Sequence, residues 1–308
     1  MKIFVSGVNG QLGHDVVNEL DSRGLEAVGS DITPVYQGGP DNTAVTRAPY
    51  VQLDLTDKAA VEKVIDAVKP DAIIHCAAWT AVDAAEDMEN REKVYKVNVE
   101  GTRNLAERAK ALDIPMLYIS TDYVFSGEGE TPFEADDTDF APSSVYGKTK
   151  LEGEEAVREL LTKYFIVRIA WVFGVNGKNF VRTMLNVGKT HPEVRVVNDQ
   201  IGTPTYTYDL SRLLADMILS DRYGTYHATN EGGFISWYDF TREIYRLAGL
   251  ETKVTPVTTE EYGLSKAARP KNSRLSKDKL EANGFERLPD WRDALKRYMA
   301  AIGELEES

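Results

Sequence analysis

Apolar and polar positions along the chain follow two periods that take turns. Lys2-Ile3-Phe4-Val5-Ser6 is a short apolar, β-branched run ending at a glycine, and from Gln11 to about Arg23 the apolar Val16, Val17 and Leu20 recur at helical spacing. Gly24 stands where a glycine commonly closes a helix. The same reading predicts strands over 26–30, 51–53, 72–76, 116–120 and 164–170, and helices over 57–68, 91–112 and 146–162. Strands that are apolar throughout and separated by helices predict a parallel sheet covered on both faces. Right-handed crossovers make it a Rossmann-like, doubly wound α/β fold. His75 and Cys76, inside the fourth strand, read as packed core, and residues 32–49, rich in turn formers, as a loop or small hairpin insertion.

Beyond Tyr146 the order changes. After the strand at 164–170 the pattern predicts shorter elements: helices near 180–189, 208–219, 237–248 and 290–301, and a strand at 194–198. The expected division is a first unit over 1–170, to which part of 195–229 returns, and a smaller mixed α/β unit over 171–308, with a ligand cleft between them. The acidic tail 304–308 reads as frayed.

Composition narrows the function classes. With 36 Lys+Arg against 49 Asp+Glu, the 308-residue chain carries a net charge of −13, which argues against a nucleic-acid surface. One cysteine excludes a disulfide framework, and the 4 histidines form no cluster at metal-ligand spacing, so no metal site is assigned. No apolar stretch approaches the roughly 20 residues of a membrane span. The opening residues enter a strand at once, without the pattern of a signal peptide, so a cytoplasmic protein is expected.

Three motifs carry candidate chemistry. Gly7-Val8-Asn9-Gly10-Gln11-Leu12-Gly13 lies between the first strand and the first helix, where bare backbone N–H groups suit a pyrophosphate. Tyr146 and Lys150, four apart on a predicted helix, share one face, and an ammonium beside a phenol favours the phenolate and lowers its pKa from about 10. Ser120-Thr121-Asp122-Tyr123-Val124-Phe125 ends the fifth strand, on the side where such sheets bind ligands, and puts a hydroxyl within reach of an oxygen being reduced. Asp31 ends the second strand 18 residues after Gly13, near the spacing at which a carboxylate meets the adenosine ribose. That carboxylate accepts from a 2′-hydroxyl and repels a 2′-phosphate, so NADH is expected to be preferred to NADPH or equal to it. Arg47, in the insertion, is the nearby cation that opposes this preference.

In order and spacing, these motifs resemble the short-chain dehydrogenase/reductase family, specifically its extended branch acting on nucleotide sugars. Within that branch Arg168-Ile169-Ala170-Trp171-Val172-Phe173-Gly174, Gly177-Lys178-Asn179-Phe180, Asp199 to Thr205 and Arg269-Pro270-Lys271-Asn272-Ser273 are similar to the dTDP-4-dehydrorhamnose reductases, with Trp79 and Phe173 standing where a tyrosine is usual. The resemblance implies a dinucleotide-binding first unit and a substrate-binding second one. Tyr146, Lys150 and Thr121 would be catalytic. Gly7, Gly10, Gln11, Leu12, Gly13, Asp31, Asp54, Leu55, Ala77, Ala78, Trp79 and Asn98 would hold NADH or NADPH together with Tyr146 and Lys150. Thr121, Asp122, Tyr123, Trp171, Asn179 and Arg269 would contact a dTDP-sugar. Lys178, Arg182, Arg269 and Lys271 are candidates to meet its diphosphate.

The implied reaction is reduction of the C4 ketone of dTDP-4-dehydro-β-L-rhamnose to dTDP-L-rhamnose. Dehydratases that resemble this fold follow the threonine with an Asp-Glu pair, whereas here Asp122 is followed by Tyr123. The alternatives are another nucleotide-sugar epimerase or reductase of the branch, and a non-catalytic relative similar to the regulatory subunit of methionine adenosyltransferase. Some resembling enzymes are magnesium-linked dimers, so the resemblance allows a homodimer and a magnesium ion without marking residues for either.

Overall fold

The computed structural model describes residues 1–36 and 48–306. Of the 32–49 insertion, residues 37–47, Arg47 included, lie outside the described residues. Six strands, β1 (Lys2–Ser6), β2 (Glu26–Asp31), β3 (Tyr50–Gln52), β4 (Ala72–His75), β5 (Met116–Thr121) and β6 (Tyr164–Ile169), form one sheet with a seventh, Gly224–His227. The order is 224–227, β6, β5, β4, β1, β2, β3, and every pairing is parallel. The unbroken apolar runs follow from burial on both faces. Ile3, Val5, Ile74, Leu117 and Val167 pack on one side, with Val16 and Leu20 of α1 (Gln11–Ser22) and with Leu210 and Leu214. Phe4, Ile73, Met116, Tyr118 and Ile166 pack on the other, with Val61 and Ile65 of α2 (Lys58–Val68) and with Leu105 and Val157.

Helix ends follow the local chemistry. Asp57 caps α2 through Ala60 N (3.0 Å), and Ser144 caps the helix Val145–Leu160 through Gly147 N (3.0 Å). The predicted 91–112 helix is interrupted. Arg91–Tyr95 and Gly101–Leu112 are α-helical, but Lys96–Glu100 is a π-helical turn. One wide turn re-phases the apolar stripe without erasing it, so periodicity does not reveal it; such turns often accompany functional sites.

The remaining chain builds a second core from the helices Phe180–Thr190, Trp237–Leu247 and Trp291–Ala301, in which Phe173, Tyr206, Phe240 and Tyr298 meet. The predicted strand near 194–198 is Glu193–Val197, and it pairs in parallel with Lys253–Val257, a strand the pattern did not announce. Of the tail, 304–306 is more anchored than expected, with Lys189 Nζ contacting Glu304 Oε2 at 2.6 Å and Glu306 N donating to Leu247 O at 2.9 Å; residues 307–308 lie outside the described residues. Among the described residues no helix is long and apolar enough to cross a membrane, and no three His, Cys, Asp or Glu side chains gather as a metal site.

Candidate active site

In the sheet order β1 has β2 on one side and β4 on the other, so the connections diverge there and open a crevice beyond the carboxyl ends of the strands. A cavity of about 990 Å³ occupies it, at the upper end of the usual size for a small-molecule site. β1 delivers the chain into the glycine turn. Gly7 has φ +78°, and a Cβ there would sit 2.6 Å from Ala77 N. At Gly13 a Cβ would come within 2.2 Å of Gly7 O. Only glycine lets turn, helix and the 76–78 segment pack this closely. The first intrahelical bond of α1 is His14 N to Gly10 O (3.2 Å), so the N–H groups of Gln11, Leu12 and Gly13 precede it, and no side chain caps them.

These donors form one wall. Asp31 accepts from Asn9 N (3.0 Å) and Ile32 N (2.7 Å), and Asp54 from the N–H and hydroxyl of Thr56 at 2.9 and 2.8 Å. Asp31, Asp54, Leu55, Ala77, Ala78 and Trp79 all line the cavity. Asn98, predicted to touch a cofactor, stands behind the wall. It is buried, its Oδ1 accepts from Trp79 N (2.8 Å) and its Nδ2 donates to Thr149 Oγ1 (3.0 Å), so it shapes the wall from the π-turn. Cys76, expected in the core, is half-buried and lines the cavity, whereas His75 is buried between Ser6 Oγ (2.7 Å) and Thr102 Oγ1 (3.0 Å). Two observations fit a dinucleotide: the free N–H groups at the helix start, and Ser30 Oγ, buried in the lining without a partner.

Thr121 ends β5, and Tyr146 and Lys150 lie one turn apart on the helix that follows Ser144; all three line the cavity. Lys150 Nζ donates to Ile119 O at 2.7 Å and lies 4.0 Å over the Tyr118 ring. Burial pulls its pKa down to about 7. Burial also pushes the Tyr146 phenol above its ordinary value, against a bond with Thr121 that lowers it. The expected lowering by Lys150 is therefore not what this arrangement gives: its ammonium is weakened by burial and committed to a carbonyl. Tyr123 packs edge-on against Tyr146, with ring centroids 5.5 Å apart.

Asp122 is 2% exposed. Its carboxylate accepts from Thr121 Oγ1 (2.9 Å) and Ser273 Oγ (2.5 Å), and burial pushes its pKa up to about 6. Trp171 has φ +52°, a costly conformation for a large side chain, and stacks on Trp237 with centroids 3.7 Å apart. Asn179 lines the cavity, but its amide is engaged internally. It caps the helix Phe180–Thr190 through Arg182 N (3.1 Å) and donates to Gln11 Oε1, Gly174 O and Tyr298 OH at 3.0, 2.9 and 3.1 Å. Arg269 pairs with Asp83 at 2.6 Å beside the Tyr123 hydroxyl (3.4 Å). Of the four basic candidates, Lys178 and Arg269 line the cavity; Arg182 and Lys271 do not. Arg195, Trp237 and Ser273 also line it without having been assigned a site role from the sequence, for they converge from three elements that are separate in the chain.

Comparison with known proteins agrees with this geometry. The family described as RmlD substrate binding domain matches residues 1–303. A dTDP-4-dehydrorhamnose reductase of Streptomyces griseus is 38% identical over 97% of this chain and 93% of its own length. A crystal structure of a dTDP-4-dehydrorhamnose reductase from Clostridium acetobutylicum is 44% identical, with a TM-score of 0.88 over 98% of this chain and 100% of that one. The Bacillus anthracis enzyme of that name, solved in complex with NADP, is 38% identical, with a TM-score of 0.87 over 97% and 99% of the two chains. The chain belongs to the RmlD family, the dTDP-4-dehydrorhamnose reductases of the extended short-chain dehydrogenase/reductase branch.

Proposed function

We infer that the chain is an NAD(P)H-dependent oxidoreductase that reduces the C4 ketone of dTDP-4-dehydro-β-L-rhamnose to dTDP-L-rhamnose. The observation that carries this is the meeting of Thr121, Tyr146 and Lys150 in one cavity with the glycine turn. Among the described residues of that cavity no glutamate stands beside Asp122 to support a dehydration. The N–H groups of Gln11, Leu12 and Gly13 would hold the pyrophosphate, Asp31 the adenosine ribose, Asp54 and Leu55 the adenine, and Ala77 to Trp79 the underside of the dinucleotide. The dinucleotide supplies the hydride when bound.

The protein's own residues place the ketone and handle the proton. Tyr146 gives its phenolic proton to the C4 oxygen as that oxygen gains charge. Its raised pKa keeps it protonated until then. Lys150 bonds the nicotinamide ribose and offsets the phenolate as it forms. Thr121 donates to the ketone oxygen, and Trp171, on Trp237, lines the sugar side. Lys178, Arg195 and Arg269, all in the lining, supply positive charge for the diphosphate of a chain that is acidic overall.

The test is oxidation of NADH or NADPH followed by absorbance, with the 4-keto-6-deoxy sugar nucleotide made in situ by its dehydratase and epimerase. Turnover requiring all three components is expected. Consumption of the sugar nucleotide without oxidation of the dinucleotide overturns the reading in favour of an epimerase, and no reaction at all in favour of a non-catalytic relative.

A further inference from the structure

A hydroxyl has one proton to donate and two lone pairs to accept with, and the structure places three groups around that of Thr121. The N–H of Tyr123 donates to Oγ1 at 3.3 Å, which uses one lone pair. Asp122 Oδ1 lies 2.9 Å away, and Tyr146 shares the cavity lining with this hydroxyl, its phenol held lower by Thr121 than burial alone would leave it. One proton and one lone pair are thus divided between Asp122 and the cleft. An ionised Asp122 only accepts, so it takes the threonine's proton and leaves a lone pair toward the cleft. A ketone oxygen is itself only an acceptor and gains nothing from that lone pair. A protonated Asp122 donates instead, and the threonine's O–H is then free for the ketone.

Ser273 decides which carboxyl oxygen carries the proton. Its hydroxyl donates to Oδ2 at 2.5 Å, which keeps Oδ2 an acceptor and leaves the acid proton to Oδ1, the oxygen facing Thr121. Ser273 arrives from the short strand Asn272–Ser273, which pairs with Ile201–Gly202 in the second unit. The ionisable groups facing Asp122 are Tyr123 on its own turn and Tyr146 on the helix Val145–Leu160, with Arg269 and Asp83 beyond Tyr123. At 2% exposure and with no cation bonded to it, the carboxyl holds its proton to about pH 6.

We propose that Asp122 is a positioning residue that works as a carboxylic acid: anchored by Ser273, it donates to Thr121 and so turns the threonine's own proton onto the substrate ketone. The inference rests on the reductase reading above. No proton is transferred along this chain; a hydroxyl is set in one of two orientations.

The experiment is the pH profile of kcat/KM, between about pH 5.5 and 9, for the wild type, Asp122→Asn, Ser273→Ala and Ser273→Thr, with dinucleotide binding measured alongside to show each is folded. For the wild type kcat/KM falls as pH rises through about 6, where Asp122 ionises. Lys150, at about 7, contributes a second descending limb common to every variant. The carboxamide that Asp122→Asn introduces donates to Thr121 at every pH while accepting from Ser273. This variant therefore lacks the first limb and outpaces the wild type at about pH 8 by roughly tenfold. Ser273→Ala removes a bond that favours the ionised form, so the first limb moves up by about one pH unit, and Ser273→Thr restores it.

Loss of activity in Asp122→Asn across the whole range, persistence of the first limb in it, or an unmoved limb in Ser273→Ala overturns the inference while leaving the reductase reading intact. A wild type that does not reduce the keto sugar overturns both.

Discussion

The amide of Asn179 donates to Gln11 Oε1 at 3.0 Å, so the first residue of α1 and the cap of the helix Phe180–Thr190 are bonded across 168 positions of sequence. Asn179→Asp keeps the oxygen that caps the helix but loses the donors to Gln11, Gly174 and Tyr298. The expected outcome is a split. Asn179→Ala loses cap and ties together and falls in stability by about 1–2 kcal/mol or more. Asn179→Asp retains the cap yet binds dinucleotide more weakly, because Gln11 is released. Equal dinucleotide affinity in wild type and Asn179→Asp, measured by fluorescence titration, contradicts the coupling.

Tyr146→Phe is expected to lower kcat by about 10²–10⁴-fold with little change in dinucleotide affinity, since the phenol's proton matters only as charge develops on the substrate oxygen. A variant keeping more than about a tenth of the wild-type kcat would refute the assignment.

Lys150 carries a stability signature of its own. Its pKa is about 7 in the folded protein and about 10.5 when exposed, so between these values the unfolded chain binds more protons than the folded one. Stability contributed by this group therefore rises with pH from about 7 to about 10.5 and is lowest below 7, where a buried ammonium must be kept. In Lys150→Met that rise disappears. Thermal melts of wild type and variant across this range, compared as a difference, check it; parallel curves contradict a buried, proton-losing Lys150.

Trp171→Ala is expected to raise KM for the sugar nucleotide about tenfold, the equivalent of one lost aromatic contact, while sparing dinucleotide affinity. Alanine also tolerates φ +52° poorly, so Trp171→Gly separates strain from contact: it relieves the backbone and still loses the indole. If both variants melt far lower with an unaltered KM, the indole serves packing alone.

Cofactor choice tests Asp31. Its two oxygens are held by Asn9 N and Ile32 N in the cavity wall, where a carboxylate favours a ribose hydroxyl and opposes a phosphate. NADH is expected to be preferred or equal, and Asp31→Ala to shift the ratio of kcat/KM toward NADPH. The Bacillus anthracis relative was solved with NADP, which makes the comparison a sharp one. A wild-type preference for NADPH of about tenfold or more would end the argument.

What could be read in advance was local. The glycine turn, the four-residue interval from Tyr146 to Lys150 and the hydroxyl closing β5 each declare themselves within a few residues, because backbone reach and helix pitch fix their geometry. Ser273 sits on a two-residue strand with no period of its own, and only its pairing with Ile201–Gly202 brings it to the cavity. Trp237 and Arg195 lie on elements the pattern does announce, but periodicity does not say that these elements meet at the cavity. Asn98 is legible as a candidate, but a helical pattern does not say whether a polar side chain faces a ligand or braces the wall beside it, and here its amide is bonded to Trp79 and Thr149. The Asp122 carboxyl reads from sequence as a sugar contact because its two hydroxyl partners, one of them 151 positions away, leave no mark near it in the chain.

The seventh strand has a consequence for synthesis. During translation β6 leaves the ribosome with its outer edge unpaired, and Phe165 and Val167 wait through all of 170–223 before Gly224–His227 arrives to cover that edge. A nascent chain stalled in this interval presents a bare parallel edge to its neighbours. Truncations ending anywhere within it should accumulate as insoluble material, and residues 1–169 alone should not be obtainable by cutting the gene after β6.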